Sequence, residues 1–156
     1  MATKLSHYDE SGRARMVDVS AKPATNREAE ASGFVLIKPE ALKCLPDNPK
    51  GNPLEVARIA GIMAAKRTSE LIPMCHSLPL SYVDVNMRLC DNGVAITSKV
   101  AAAAQTGVEM EALVAVSVSA LTLYDMLKGM DKGIEIRDIV LQRKTGGKSG
   151  GYLRAK

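Results

Sequence analysis

Residues 108–130, VEMEALVAVSVSALTLYDMLKGM, restrict the fold of this chain more than any other stretch. They are apolar nearly all round, and a helix without a polar face must be buried in a core or sandwiched between layers. Thr106, Gly107, Val108 and Glu109 read as a capping box that opens this helix, and Gly129 as its stop. The remaining segments have to supply its cover.

Their patterns predict strands and helices in turn. MVDVSAK (16–22) reads as a short strand. TNREAEASG (25–33) reads as a short helix, with Thr25 as cap, Glu28 completing a capping box and Gly33 as a left-handed stop. FVLIK (34–38) is a compact β-branched run and predicts a strand, and Pro39 opens a helical turn that Pro46 ends. After the loop PDNPKGNP, Asn52, Pro53 and Glu55 form a strong helix start. The helix that follows carries Val56, Ile59, Ala60, Met63 and Ala64 on one stripe and must end before Pro73.

YVDVNMRLC alternates, with Val83, Val85, Met87 and Leu89 facing one way; DNG is a hairpin turn and VAITSKV the returning strand. IEIRDIVLQRK (134–144) is a last strand. From residue 34 onward the order is β-α-β-β-α-β, the split βαβ arrangement of ferredoxin-like folds. The expected class is α+β, a mainly antiparallel sheet with helices packed on one face. A single domain is expected over residues 1–156, with 1–15 and the basic tail 145–156 as flexible ends.

Composition narrows the partners. With no Trp, one Phe and four Tyr, the core must be built from Ala, Val, Ile, Leu and Met. Aromatics at 3% also argue against a single-strand RNA platform, where bases stack on aromatic rings. A net charge of +4 suits a small phosphorylated metabolite, and equally a plain solvated surface. No run of apolar residues is expected to cross a bilayer, and the N-terminus has no hydrophobic signal region. Three cysteines in no close repeat suit a reducing compartment, so the expected location is cytoplasmic.

Four constellations carry chemistry. In LIPMCHSLPL (71–80), Cys75 and His76 stand together between two prolines. A structural zinc site needs four ligands, and His7, Cys44 and Cys90 lack the spacing to complete one, so no metal is expected. Consecutive residues in an extended segment point to opposite faces, which weakens a thiol–imidazole couple. A buried Cys beside a surface His and a substrate-contact loop both remain open.

The second is Asp125 with Lys128, neighbours on one helix face. Either this is a surface ion pair, or a partly desolvated lysine held for proton transfer, although the Asp would oppose a lowered pKa. Glu111 lies fourteen residues before Asp125, hence on a similar face but roughly 21 Å away along the axis. One small ligand within one chain cannot easily touch both.

The third is a set of basic loops: Lys50 in NPKGNP, Lys66 and Arg67, and Lys144 and Lys148 in KTGGKSG. The last is not a phosphate loop, because Gln142 stands where that motif needs glycine, but its turn could hold phosphates through backbone N–H groups and charge. The fourth is Arg27, unfavourably placed in the first turn of an expected helix.

Four blocks, MVDVSAK, ARIAGIMAAKRTSELIPMCHSLPL, TGVEMEALVAVSVSALTLYDMLK and GGKSG, occur in an order and spacing that resemble the family of cyclic pyranopterin monophosphate synthases, the C proteins of molybdenum cofactor biosynthesis. The resemblance spans about residues 16–150. One departure is Ser77, where the family usually has proline after Cys-His; Pro79 is kept.

The resemblance implies an enzyme that takes a cyclised dihydro-GTP to cyclic pyranopterin monophosphate and releases pyrophosphate. It implies Lys128 as acid/base with Asp125 orienting it. Met74, Cys75, His76, Met110 and Glu111 would bind substrate, and Arg27, Lys50, Lys144 and Lys148 would surround the triphosphate and ring. It further implies a homohexamer, a trimer of dimers with sites at subunit interfaces, acting without a resident cofactor; magnesium with the triphosphate stays open. No nucleic-acid or membrane partner is implied. On the residues alone, a non-catalytic metabolite-sensing module or an RNA-binding domain of the same fold would be the alternatives.

Overall fold

A computed structural model describes residues 6–148 and 150–155. In chain order the elements are β1 (Thr25–Leu36), α1 (Pro39–Lys43), α2 (Pro53–Lys66), α3 (Thr68–Leu71), β2 (Leu80–Cys90), β3 (Gly93–Ala104), α4 (Glu109–Leu127), β4 (Glu135–Thr145) and β5 (Tyr152–Leu153). The strands form one antiparallel sheet in the order β2-β3-β1-β4-β5. Its first four strands have the ferredoxin-like order, and the helices cover one face.

The apolar helix is α4, and its cover is now visible. It packs on β1, β3 and β4 and, along its flank, on α2, which itself rests on β2. By length and hydropathy it could cross a membrane, contrary to the expectation that no segment could. Its burial against the sheet and α2 accounts for that composition instead, with Ala112, Ala115, Val116, Ala120, Leu123 and Leu127 fully buried.

Residues 25–33 are not a helix. They are the first part of β1, a central strand paired with β3 from Thr25↔Ala104 onward and with β4 on its other edge. The period is two: Ala29, Ala31, Gly33 and Val35 are buried against the helices, while Glu28, Glu30 and Ser32 point to the open face. Pairing on both edges overrides the local capping signals. Gly33 is no helix stop either. A Cβ there would stand 2.7 Å from Val116 Cγ1, so the glycine lets α4 sit down on the strand.

Segment 16–22 joins no strand of the sheet and ends in a turn, where Lys22 N–H donates to the Val19 carbonyl at 2.9 Å. Residues 106–109 make no capping box, since α4 begins without a side-chain cap. The segment 145–156, expected as a loose tail, contributes β5, which pairs with Arg143 and Lys144. Of the expected flexible end 1–15, residues 1–5 lie outside the described residues, as do Ser149 and Lys156.

The start of α2 is as expected: the Asn52 side chain accepts from the N–H groups of Leu54 and Glu55. Its buried side is not. Ala57, Gly61, Ala64 and Ala65 face inward, while Val56, Ile59 (55% exposed) and Met63 face out. The contact with α4 selects small residues because the helices approach closely. A Cβ on Gly61 would lie 2.8 Å from the Ala115 carbonyl, and Ser119 Oγ donates to the Ala57 carbonyl at 3.0 Å.

Candidate functional site

Two adjoining cavities open where β1, the end of β3, the start of α4 and the loop after β4 meet. The larger, about 840 Å³, is basic on one side, with Lys22, Arg27, Lys144 and Lys148 in its wall. The smaller, about 500 Å³, is lined by Met74, Cys75, His76, Met110 and Glu111, among others. Lys22, Thr106, Gly107 and Glu109 border both.

Arg27 reaches this site from a strand, so the unfavourable helix placement that pointed to a functional use does not arise. Its Nε and Nη2 donate to the carbonyls of Ala104 and Gln105 at 3.3 and 3.2 Å. The guanidinium lies against the turn after β4. Gly146 and Gly147 there have φ of +89° and +82°, and a Cβ on Gly147 would overlap Arg27 Nη1. Only glycine allows both the left-handed backbone and this approach. Lys144 pairs with Glu109 at 3.1 Å, and Lys148 is exposed beside them. Glu109 thus serves the cavity wall rather than a helix cap.

His76 is committed by a long-range bond. Its Nε2 stands 2.8 Å from the Val17 carbonyl, and because a carbonyl only accepts, that nitrogen carries a proton. The bond ties segment 16–22 to the smaller cavity, which Val17, Val19 and Lys22 help to line. Cys75 makes no hydrogen bond to His76 among the described residues. Burial, and then the negative charge of Glu111, push its thiol pKa up. A thiol kept protonated is a poor nucleophile.

Glu111 is the unusual group of this site. It is only 4% exposed, and its Oε2 has no hydrogen-bond partner among the described residues. Burial raises its pKa, and nearby Glu109 adds to that. Such a carboxyl can accept from a ligand N–H or, when protonated, donate.

Asp125, Lys128 and Lys50 gather elsewhere, at the far end of α4. Lys128 Nζ meets Asp125 Oδ1 at 2.7 Å, and Lys50 Nζ lies 4.0 Å from Oδ2. Asp125 and Lys128 are more than half exposed, at 60% and 53%. Of the two readings open for this pair, the single chain shows the exposed ion pair and not a partly desolvated lysine. The hydrogen bond and charge of Asp125 therefore raise the Lys128 pKa, while Lys128, then Lys50, lower that of Asp125. Lys66 lines a separate hollow against β2.

Arg27, Met74, Cys75, His76, Met110, Glu111, Lys144 and Lys148 are thus brought to the joined cavities, while Lys50, Lys66, Arg67, Asp125 and Lys128 are not. Sequence reading missed Lys22, shared by both cavities, and His7, which lines the smaller one. Lys22 closes the block MVDVSAK, which showed only an alternation of apolar residues; the contact that folds this segment over the cavity is long-range. Glu109 was missed because a capping box already accounted for an acid there.

The chain matches the MoaC family over residues 16–147. It is 57% identical to the cyclic pyranopterin monophosphate synthase of Parvibaculum lavamentivorans over 155 residues, 97% of each chain. The same-named protein of Heliobacterium modesticaldum is 56% identical over 96% of this chain and 97% of its own. Cyclic pyranopterin monophosphate synthase 1 of Mycobacterium tuberculosis is 54% identical over 99% of this chain and 92% of its own.

Proposed function

The chain belongs to the MoaC family, and we propose that it is a cyclic pyranopterin monophosphate synthase of molybdenum cofactor biosynthesis. It takes a cyclised dihydro-GTP to the cyclic pyranopterin monophosphate with release of pyrophosphate. The observation that carries the reading is the pair of joined cavities. The basic one suits a triphosphate, held by Lys22, Arg27, Lys144 and Lys148. The smaller one suits a flat heterocycle, with methionines against its faces and the unpartnered Glu111 oxygen at its edge.

As a phosphorus–oxygen lyase the enzyme lets a sugar hydroxyl attack the α-phosphate, which closes the cyclic phosphate as pyrophosphate leaves. Lys128 is the acid/base of the proton transfers that rebuild the ring, and Asp125 orients it. With its pKa held up by Asp125, Lys128 enters as an ammonium, able to give a proton and to stabilise developing negative charge. Lys50 adds a second cation at this cluster. The scheme needs no resident cofactor, and turnover in the presence of a chelator decides whether magnesium accompanies the triphosphate.

The two halves stand roughly 21 Å apart along α4, so one chain does not close a site alone. A second copy supplies the missing half, in a homohexamer built as a trimer of dimers with sites at the interfaces. The exposed stripe of Val56, Ile59 and Met63 is apolar surface available for such contacts. The enzyme works in the cytoplasm, with no nucleic acid or membrane as partner.

The direct test is pyrophosphate release from the cyclised dihydro-GTP. Wild-type turnover that is lost in a folded Lys128→Ala variant supports both activity and site. A wild type that binds the compound and releases nothing is a sensor instead.

A further inference from the structure

We propose that Asn48 is the positioning residue that sets Lys50 against the Asp125–Lys128 pair; its catalytic consequence rests on the role given to that cluster above. The last four carbonyls of a helix have no partner within it. In α4 these belong to Tyr124, Asp125, Met126 and Leu127. The chain's own continuation satisfies the first and last: Lys128 N–H donates to Tyr124, and the N–H groups of Met130 and Asp131 to Leu127.

The two middle carbonyls are met from the loop before α2. Asn48 Nδ2 donates to the Met126 carbonyl at 3.2 Å, and Lys50 Nζ to the Asp125 carbonyl at 3.4 Å. The same Asn48 side chain accepts the Lys50 N–H at Oδ1, 2.9 Å away. Its backbone carbonyl accepts from Gly51 N–H at 3.0 Å, in a turn where Gly51 has φ of +95°.

Asn48 therefore joins three things: the end of α4, the backbone of Lys50 and the turn that aims it. Lys50's own contacts are weaker. Its amine is more than half exposed and lies 4.0 Å from the nearest Asp125 carboxylate oxygen. Contacts of that kind do not hold a long side chain by themselves. The Asn48 amide, half-buried on the helix end, is the fixed point. An amide is required, because it must donate to one group and accept from another. An aspartate keeps the acceptor for Lys50 N–H but loses the donor and sets a charge against a carbonyl.

The test is a double-mutant cycle in the assembled enzyme. Asn48→Ala and Asn48→Asp should each lower kcat/KM for the cyclised dihydro-GTP by roughly tenfold. In a Lys50→Ala background, adding Asn48→Ala should cost no more than about twofold, because the residue it positions is gone. A full tenfold loss in both backgrounds overturns the proposal. A second readout needs no turnover: amine acylation, followed by peptide mass spectrometry. Asn48→Ala should speed labelling of Lys50 roughly threefold, with Lys38 unchanged as internal standard. Unchanged Lys50 labelling overturns the positioning role. Were the wild type to release no pyrophosphate, the assigned activity would fall while the labelling still decided Asn48.

Discussion

The two ends of α4 carry acids on similar faces of one helix and treat them oppositely. At the N-terminal end Glu111 is buried, one oxygen lacks a partner among the described residues, and its pKa is raised. At the C-terminal end Asp125 is exposed, bridged by two lysines, and its pKa is lowered. The difference lies in their surroundings, not in the chemistry of the carboxyl group. One end is already desolvated before any ligand arrives. The other is charged and solvated, and needs a ligand or a second subunit over it before its electrostatics gain strength.

If the charged end does the chemistry, losing it should have the largest effect. Lys128→Ala should lower pyrophosphate release by about three decades or more, with thermal unfolding little changed because its one pair, with Asp125, is more than half exposed and screened. Substantial release by the folded variant would move the acid/base role to another cation, Lys50 or Lys144 first.

The next effect asks whether the two ends serve one site across subunits. Glu111→Ala and Lys128→Ala chains should each be nearly inactive alone. Mixed through a cycle of dissociation and reassembly, they should recover activity in roughly a quarter of the sites, those pairing an intact N-terminal half with an intact C-terminal half. No recovery in mixed oligomers would place both halves within one chain or show that one is not needed.

How far this division was legible in the sequence depends on the range of the interaction. The alternation in β2, the Asn52 cap of α2 and the all-round apolarity of α4 are local patterns, and each became the expected element. Residues 25–33 misled because their small residues alternate with charges inside what also passes for a capping box; only pairing on both edges decides for a strand. The α2 stripe misled in the same way. Periodicity found an apolar face, but the buried face is the one small enough to touch α4. At the site, residue types could be named in advance, and the roughly 21 Å between Glu111 and Asp125 followed from helix rise alone. The Val17–His76 bond and the orphaned Glu111 oxygen could not be read in advance, since both depend on folded neighbours.

A smaller effect sharpens the contrast through pH. A carboxyl whose folded pKa is raised lets the folded state hold a proton that the unfolded chain releases. Its favourable contribution is complete below the unfolded value near 4.5 and is lost as pH rises through the folded one. Glu111→Gln abolishes this titration. Measured from pH 4.5 to 8, the Tm of the variant should gain on that of the wild type by a few degrees as pH rises. Parallel curves would mean that Glu111 ionises as freely in the folded protein as in the unfolded chain.

The smallest effect belongs to the charged end, and its sign is opposite. Asp125 has a lowered pKa, so its contribution is present above the unfolded value of 3.8 and is lost as pH falls through the folded one. Both partners are well exposed, so salt and water screen the pair. Asp125→Asn should therefore leave Tm near neutral pH unchanged within error, and 0.5 M salt should not separate variant from wild type. The same substitution should still reduce turnover, because it removes the group that orients Lys128. A clear loss of Tm would show that the pair is already covered in the assembled protein, and the contrast between the two ends would then belong to the single chain only.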